Sequence, residues 1–119
     1  MRILCCGDRD WSDREFIFDH LQMVPPDTVI IHGNCRGADK LADSVARQLQ
    51  LAVEAFPAQW SKFGRAAGPI RNEQMINEGR PDKVLAFHDH LDKSRGTRDM
   101  IDRAESVNIP VRILTHNGD

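Results

Sequence analysis

The sequence has little cysteine and no long apolar run. Cys5, Cys6 and Cys35 are an odd number, two of them adjacent, with no repeated spacing. That pattern excludes a disulfide framework. No stretch approaches the roughly 20 apolar residues that a membrane-spanning helix needs. Residues 1–7 offer too short an apolar stretch for a signal peptide and no cleavage site. A cytoplasmic protein with no membrane partner is therefore expected. Internal repeats, low-complexity stretches and linkers are also missing, so the 119 residues are expected to form one domain. The net charge of −2 and the lack of a basic arm make nucleic acid an unexpected partner.

Several catalytic and binding signatures are missing too. Gly-x-Gly-x-x-Gly does not occur, nor does the Walker lysine motif. Gly-x-Ser-x-Gly, the nucleophile elbow of serine hydrolases, is absent.

What is present suits an α/β domain. Apolar residues make up 40% and charged residues 29%, which supports a real core and argues against disorder. Twelve of the sixteen basic residues are Arg and four are Lys. Arg is favoured where planar, bidentate anion recognition matters, although an ordinary Arg-rich composition looks the same at this level.

Short apolar runs alternate with amphipathic ones. Residues 3–6, 28–31, 51–56, 84–87 and 110–114 read as strands. Ser12-Asp13-Arg14-Glu15 fits a capping box with Ser12 as N-cap, opening a helix that Pro25-Pro26 stops. Residues 37–50 form a second helix, with Leu41, Ala42, Val45, Ala46 and Leu49 on one face. Residues 57–66 read as the longest irregular segment, and 115–119 as a polar tail. Gly68-Pro69 opens a third helix, because Pro suits the first helical position. Gly96-Thr97 opens a fourth, ending near Ser106. Strands alternating with helices of this length predict a five-stranded, mostly parallel sheet covered on both faces. Such sheets bind ligands at the carboxyl ends of their strands.

Four segments fall at that edge: Gly7 to Trp11, Gly33 to Asp39, Ala67 to Asn72, and Gly96 to Asp99. Each contains glycine and each contains arginine. Glycine allows close backbone approach to a phosphate, and exposed N–H groups at a helix start favour an anion. Arg71 and Arg98 are expected in first helical turns, where a cation opposes the helix dipole at a cost of about 0.3–1 kcal/mol. With Arg9 and Arg36 they suggest an anion site. Pairing with Asp8, Asp10, Asp39 and Asp99 is the alternative.

Trp11, Trp60 and Phe63 could stack on a base or simply fill the core. His32, Cys35, His88 and His90 could all reach this edge, but their spacing matches no zinc module, and neither metal nor cofactor is expected. Cys35 lies before a helix, where a thiolate would be stabilised; a bystander thiol fits as well.

Five ordered motifs together resemble the YspA/cpYpsA-related branch of the SLOG superfamily. They are Gly7-x-Arg9-x-Trp11, His32-Gly33-x-x-x-Gly37-Ala38-Asp39, Ala58-x-Trp60, Ala67-Gly68-Pro69-x-Arg71-Asn72 and Gly96-Thr97. The resemblance runs from Arg2 to about Val111. The superfamily also holds the Lonely Guy phosphoribohydrolases and the DNA-processing protein DprA. The resemblance implies a Rossmann-like three-layer fold with a nucleotide-type ligand at the carboxyl edge. It places Gly7 and Arg9, with the motif's Trp11 beside them, in a first ligand loop, and Gly33, Arg36, Gly37 and Asp39 in a second. Arg71 and Asn72 would face sugar or phosphate, and Gly96 and Thr97 would cradle phosphate, with Arg98 among the arginines read above as holding it. Related proteins form oligomers, so a homo-oligomer is implied.

One departure bears on chemistry. Lonely Guy enzymes carry Pro-Gly-Gly-x-Gly-Thr-x-x-Glu, and here Met100 stands at the glutamate position. Asp99 lies one residue early, which on a helix turns it by ~100°. Glycosidic cleavage normally uses a placed carboxylate, so Asp99 and Glu73 are the candidates if cleavage occurs. The expectation is a module that senses or sequesters a nucleotide or nucleotide-derived signal. Phosphoribohydrolase activity is the first alternative and DprA-like nucleic-acid binding the second.

Overall fold

The computed structural model describes residues 1–117; the last two positions of the expected polar tail lie outside the described residues. Five strands form one sheet: β1 (Arg2–Gly7), β2 (Val29–His32), β3 (Ala52–Ala55), β4 (Lys83–Phe87) and β5 (Val111–Leu114). All neighbours run parallel, in the order β3-β2-β1-β4-β5. The register pairs Leu4 with Ile31 on one side of β1, and Cys6 with Ala86 on the other.

Strand residues point alternately to opposite faces, and β1 shows the consequence. Ile3 and Cys5 face one apolar cluster, with Ile17, Ala42, Val45 and Phe87. Leu4 and Cys6 face a second, with Ile31, Met75, Met100 and Ala104. The first cluster lies under helices α1 (Arg14–Leu21) and α2 (Ala38–Gln48). The second lies under α4 (Ala67–Asn77) and α5 (Gly96–Ser106). Adjacent Cys5 and Cys6 therefore sit on opposite sides of the sheet, both buried as free thiols. Burial on both faces is why the central strands read as continuous apolar runs.

Local starts differ from the sequence reading. The N-cap of α1 is Asp13, not Ser12: its carboxylate accepts the Phe16 N–H at 3.1 Å. The buried indole of Trp11 donates Nε1–H to the Asp13 carbonyl at 2.9 Å. Residues 57–66 are not wholly irregular. A short helix, α3 (Trp60–Phe63), and a 3-10 turn (Gly64–Ala66) run straight into α4. Pro69 is consequently third in α4, still within the turn whose N–H groups lack helical acceptors. Arg71 falls in the second turn rather than the first. A further 3-10 turn (Leu91–Lys93) precedes α5.

Candidate ligand-binding site

Strand order reverses between β1 and β4. The chain leaves β1 toward β2 and leaves β4 toward β5, so the two connections part and open a crevice. A cavity of about 380 Å³ lies there. Its walls are Gly7, Asp8, Arg9 and Asp10 after β1, Cys35, Arg36 and Asp39 before and within α2, Arg71 and Asn72 on α4, and His88 with residues 93–97 after β4. A second cavity of about 350 Å³ adjoins it, reaching Gly33, Asn34, Pro57, Ala58 and Trp60. Arg9, Cys35, Arg36 and Arg71 line both.

Arg71 ties these loops together. Only 7% exposed, its guanidinium donates through Nη1 to the Gly33 carbonyl, through Nε to Asn72 Oδ1 at 3.0 Å, and through Nη2 to Cys35 Sγ at 3.7 Å. Asn72 Nδ2 donates onward to the Gly96 carbonyl at 3.3 Å and to Asp99 Oδ2 at 2.9 Å. A Cβ at Gly33 would stand 2.4 Å from Arg71 Nη1 and 2.7 Å from its Cζ, so any other residue there must displace the guanidinium.

Asp39 staples the second loop. Its Oδ2 accepts both the Gly33 N–H at 3.0 Å and the Cys35 N–H at 3.2 Å. Burial pushes its carboxyl above the usual range, and the Cys35 N–H, His32 and Arg71 offset only part of that. No ion pair joins Arg71 to any carboxylate among the described residues.

The crevice differs in charge from the chain. Five cations line the first cavity (Arg9, Arg36, Arg71, Lys93 and Arg95) against three carboxylates, Asp8, Asp10 and Asp39. Arg36 reaches Asp10 at 3.3 Å, but both are largely exposed, and such pairs are worth little. The Arg9 guanidinium lies 5.9 Å above the Trp60 ring. Lys93 and Arg95 pair with no carboxylate among the described residues. Both flank the start of α5, where Ser94 Oγ takes the Thr97 N–H at 3.2 Å. The positive end of the α5 dipole adds to the same field.

Of the residues singled out from sequence, Gly7, Arg9, Arg36, Asp39, Arg71, Asn72, Gly96 and Thr97 line the first cavity, and Gly33 the second. Gly37 supports the site from beneath. Its φ is +76°, and a Cβ would meet the carbonyl oxygens of Asp8 and Arg9 at 2.4 Å. Trp11 faces the core instead. It is 6% exposed, edge-on to Phe16 and Phe87, and stacked on His116 at 4.5 Å. Arg98 is exposed on α5 and lies off the cavity wall.

Neither candidate carboxylate for cleavage reaches the wall. Asp99 is held by Asn72 and by Arg103 Nε at 2.8 Å. Glu73 is exposed beside Arg103, at 3.9 Å. Met100 is buried in the second apolar cluster.

Lys93, Ser94 and Arg95 are wall residues that the sequence reading passed over. Their signal was their place immediately before the α5 start. His88 is another. His32 and His88 act alike at the ends of β2 and β4: each Nδ1 accepts the N–H two residues on, from Asn34 and from His90, both at 2.9 Å. His32 Nε2 is taken by Asp43 at 2.7 Å, leaving that ring no nitrogen for a metal.

The doubly wound sheet with a cationic crevice at its switch point defines a Rossmann-like α/β protein. Residues 1–63 match the family model described as YspA, cpYpsA-related SLOG family. The gene 61 protein of Mycobacterium phage D29 is 38% identical, over 92% of this chain and 93% of its own length. The chain belongs to the YspA, cpYpsA-related SLOG family. The matched region carries β1 to α3 and so both glycine loops of the crevice. No helix among the described residues is long and apolar enough to cross a membrane.

Proposed function

We propose that the crevice binds a nucleotide or nucleotide-derived signalling ligand, and that the chain senses or sequesters it rather than transforming it. The observation that carries this reading is the buried guanidinium of Arg71, held without a carboxylate partner where the loops converge. A buried cation without an ion-pair partner is costly, and the nearby Asp39 carboxyl offsets only part of that cost. Three of the five N–H donors of the guanidinium go to Gly33, Asn72 and Cys35, and the remainder are available to a phosphate. Lys93, Arg95 and the α5 start supply further positive potential on the same wall. Family membership favours a nucleotide over other anions.

The preference for binding over cleavage rests on the carboxylates. Asp99 and Glu73 lie off the wall; of the three carboxylates on it, Asp39 is committed to two backbone N–H groups, Asp8 accepts the Asp10 N–H at 2.9 Å, and Asp10 meets Arg36 at 3.3 Å. A nucleotide mixture is incubated with the protein and filtered, and the bound and free fractions are separated by chromatography. A nucleotide retained intact and released on denaturation supports the reading and names the ligand. Conversion to free base and sugar phosphate overturns it in favour of a phosphoribohydrolase. Arg71→Ala is expected to abolish retention, and retention equal to wild type would remove Arg71 from the site.

A further inference from the structure

The second cavity has a chemistry of its own. Arg9, Arg36 and Arg71 line it, and no carboxylate does. The three aspartates of the first cavity are absent from this wall. Its outer side is Trp60, 48% exposed, carried on the first residue of α3 and propped by the core of α4: a Cβ on Gly68 would sit 3.4 Å from the indole. Three guanidiniums around one small space repel each other, paired among the described residues with no carboxylate but Asp10 in its exposed contact with Arg36, and the half-exposed indole stands beside them. Together they match a ligand that offers a π-face and a negative charge at once. Arg9, 5.9 Å above the indole ring, already occupies the stacking position that an aromatic base would share or take over.

The two cavities adjoin and share Arg9, Cys35, Arg36 and Arg71 as wall residues. Each is near the lower end of the sizes that small-molecule sites span, about 300–1,000 Å³. A mononucleotide held by its phosphate at the α5 start in the first cavity leaves the second unfilled.

We infer that the site has two compartments and that its ligand is a dinucleotide, two nucleoside units joined through phosphate. One unit lies in the first cavity against Lys93, Arg95 and Gly96. The base of the other stacks on Trp60, and the linking phosphate is held by Arg36 and Arg71. This rests on the nucleotide reading above and goes beyond it in naming the ligand class. The chain lacks the single glycine-rich turn that grips a pyrophosphate, so here arginine side chains from separate loops hold the linking phosphate.

The test is titration calorimetry with the four nucleoside monophosphates, and with their pyrophosphate-linked and 3′,5′-linked dinucleotides. At least one dinucleotide is expected to bind tenfold or more tightly than its monophosphate, and the two linkages tell which phosphate bridge the arginines accept. Base stacking on an aromatic corresponds to roughly 5–150-fold in affinity, so Trp60→Leu should collapse the dinucleotide-to-mononucleotide ratio toward one. Lys93→Ala should weaken both ligands and keep the ratio. Dinucleotides that bind no tighter than monophosphates overturn the inference, as does a ratio that survives Trp60→Leu. Either result leaves the nucleotide reading standing. If no nucleotide of either kind binds, the nucleotide reading falls and this inference with it. Trp60 is exposed, so the variant keeps the fold, and an unchanged melting curve verifies that.

Discussion

The carbonyl of Gly33 accepts a hydrogen bond from the buried guanidinium of Arg71, and the same guanidinium fills the space where any other residue at position 33 would place its Cβ. Glycine at the end of β2 and arginine on α4 are thus one structural unit. Gly33→Ala is expected to cost about 1–3 kcal/mol, the usual range for overpacking a closed site, and to weaken ligand retention by displacing the guanidinium. Arg71→Lys should retain the fold and still lose binding, because one ammonium cannot reach Gly33, Asn72 and a phosphate together. Thermal melts and filter binding on both variants check this. Equal retention by Arg71→Lys would reduce the arginine to a bare charge.

Asp39 predicts opposite effects on stability and binding. One oxygen, Oδ2, takes both backbone N–H groups, and an asparagine amide oxygen can do the same. Asp39→Ala leaves two N–H groups unpaired, at about 1–3 kcal/mol each. Asp39→Asn should cost much less, since burial already disfavours the charged form. It also removes a negative charge from the cavity wall, so phosphate-ligand affinity should rise, by roughly tenfold at most. Denaturant titration and calorimetry on the two variants separate the effects. An Asp39→Asn protein as unstable as Asp39→Ala would show that the charge, not the acceptor, holds the loop.

The sheet was readable from sequence because β1, β2 and β4 are buried on both faces and so appear as unbroken apolar runs. Helix α3 was not, because none of its residues is buried and no apolar face announces it. The glycine loops were readable because each follows a strand and precedes a helix. Lys93 and Arg95 were not, because they reach the crevice only through the 3-10 turn after β4. Trp11 misled for a related reason. Its loop lies at the carboxyl edge of the sheet, but its ring is drawn inward under His116 from the far end of the chain.

The rim cations yield a paired comparison. Arg95 lines the first cavity and Arg98, three residues on, does not. A charge-assisted hydrogen bond contributes about 1.5–3 kcal/mol, so Arg95→Ala should weaken nucleotide binding by roughly 10–100-fold. Arg98→Ala should leave the dissociation constant within about twofold of wild type, since an exposed charge off the wall is screened. Calorimetry on the two variants in one buffer decides it. A larger loss at Arg98 would place the ligand phosphate on the outer side of α5.

His116 makes stability depend on pH. Its Nδ1 meets Asp89 Oδ2 at 2.7 Å and its Nε2 meets Asp13 Oδ2 at 2.8 Å. These contacts, Asp89 first and then Asp13, raise its pKa above 6.5. A raised histidine contributes stability that is full below its unfolded value of 6.5 and is lost as pH climbs through the folded value. The aspartates work in the opposite direction. Asp13 is lowered by the His116 side chain and the Phe16 N–H. Asp89 is raised by burial, but its bonds from His116 and Thr115 outweigh that and hold it at about 2. Their contribution is present above 3.8 and fades as pH falls below it. The cluster is therefore strongest between about pH 4 and 6.5. Because His116 stacks on Trp11, which closes the loop after β1, its loss above that window should loosen that loop as well. Melting curves from pH 5 to 9 should show the wild type falling more steeply than His116→Ala above pH 6.5. Parallel curves would mean that the imidazole titrates without help from its two aspartates.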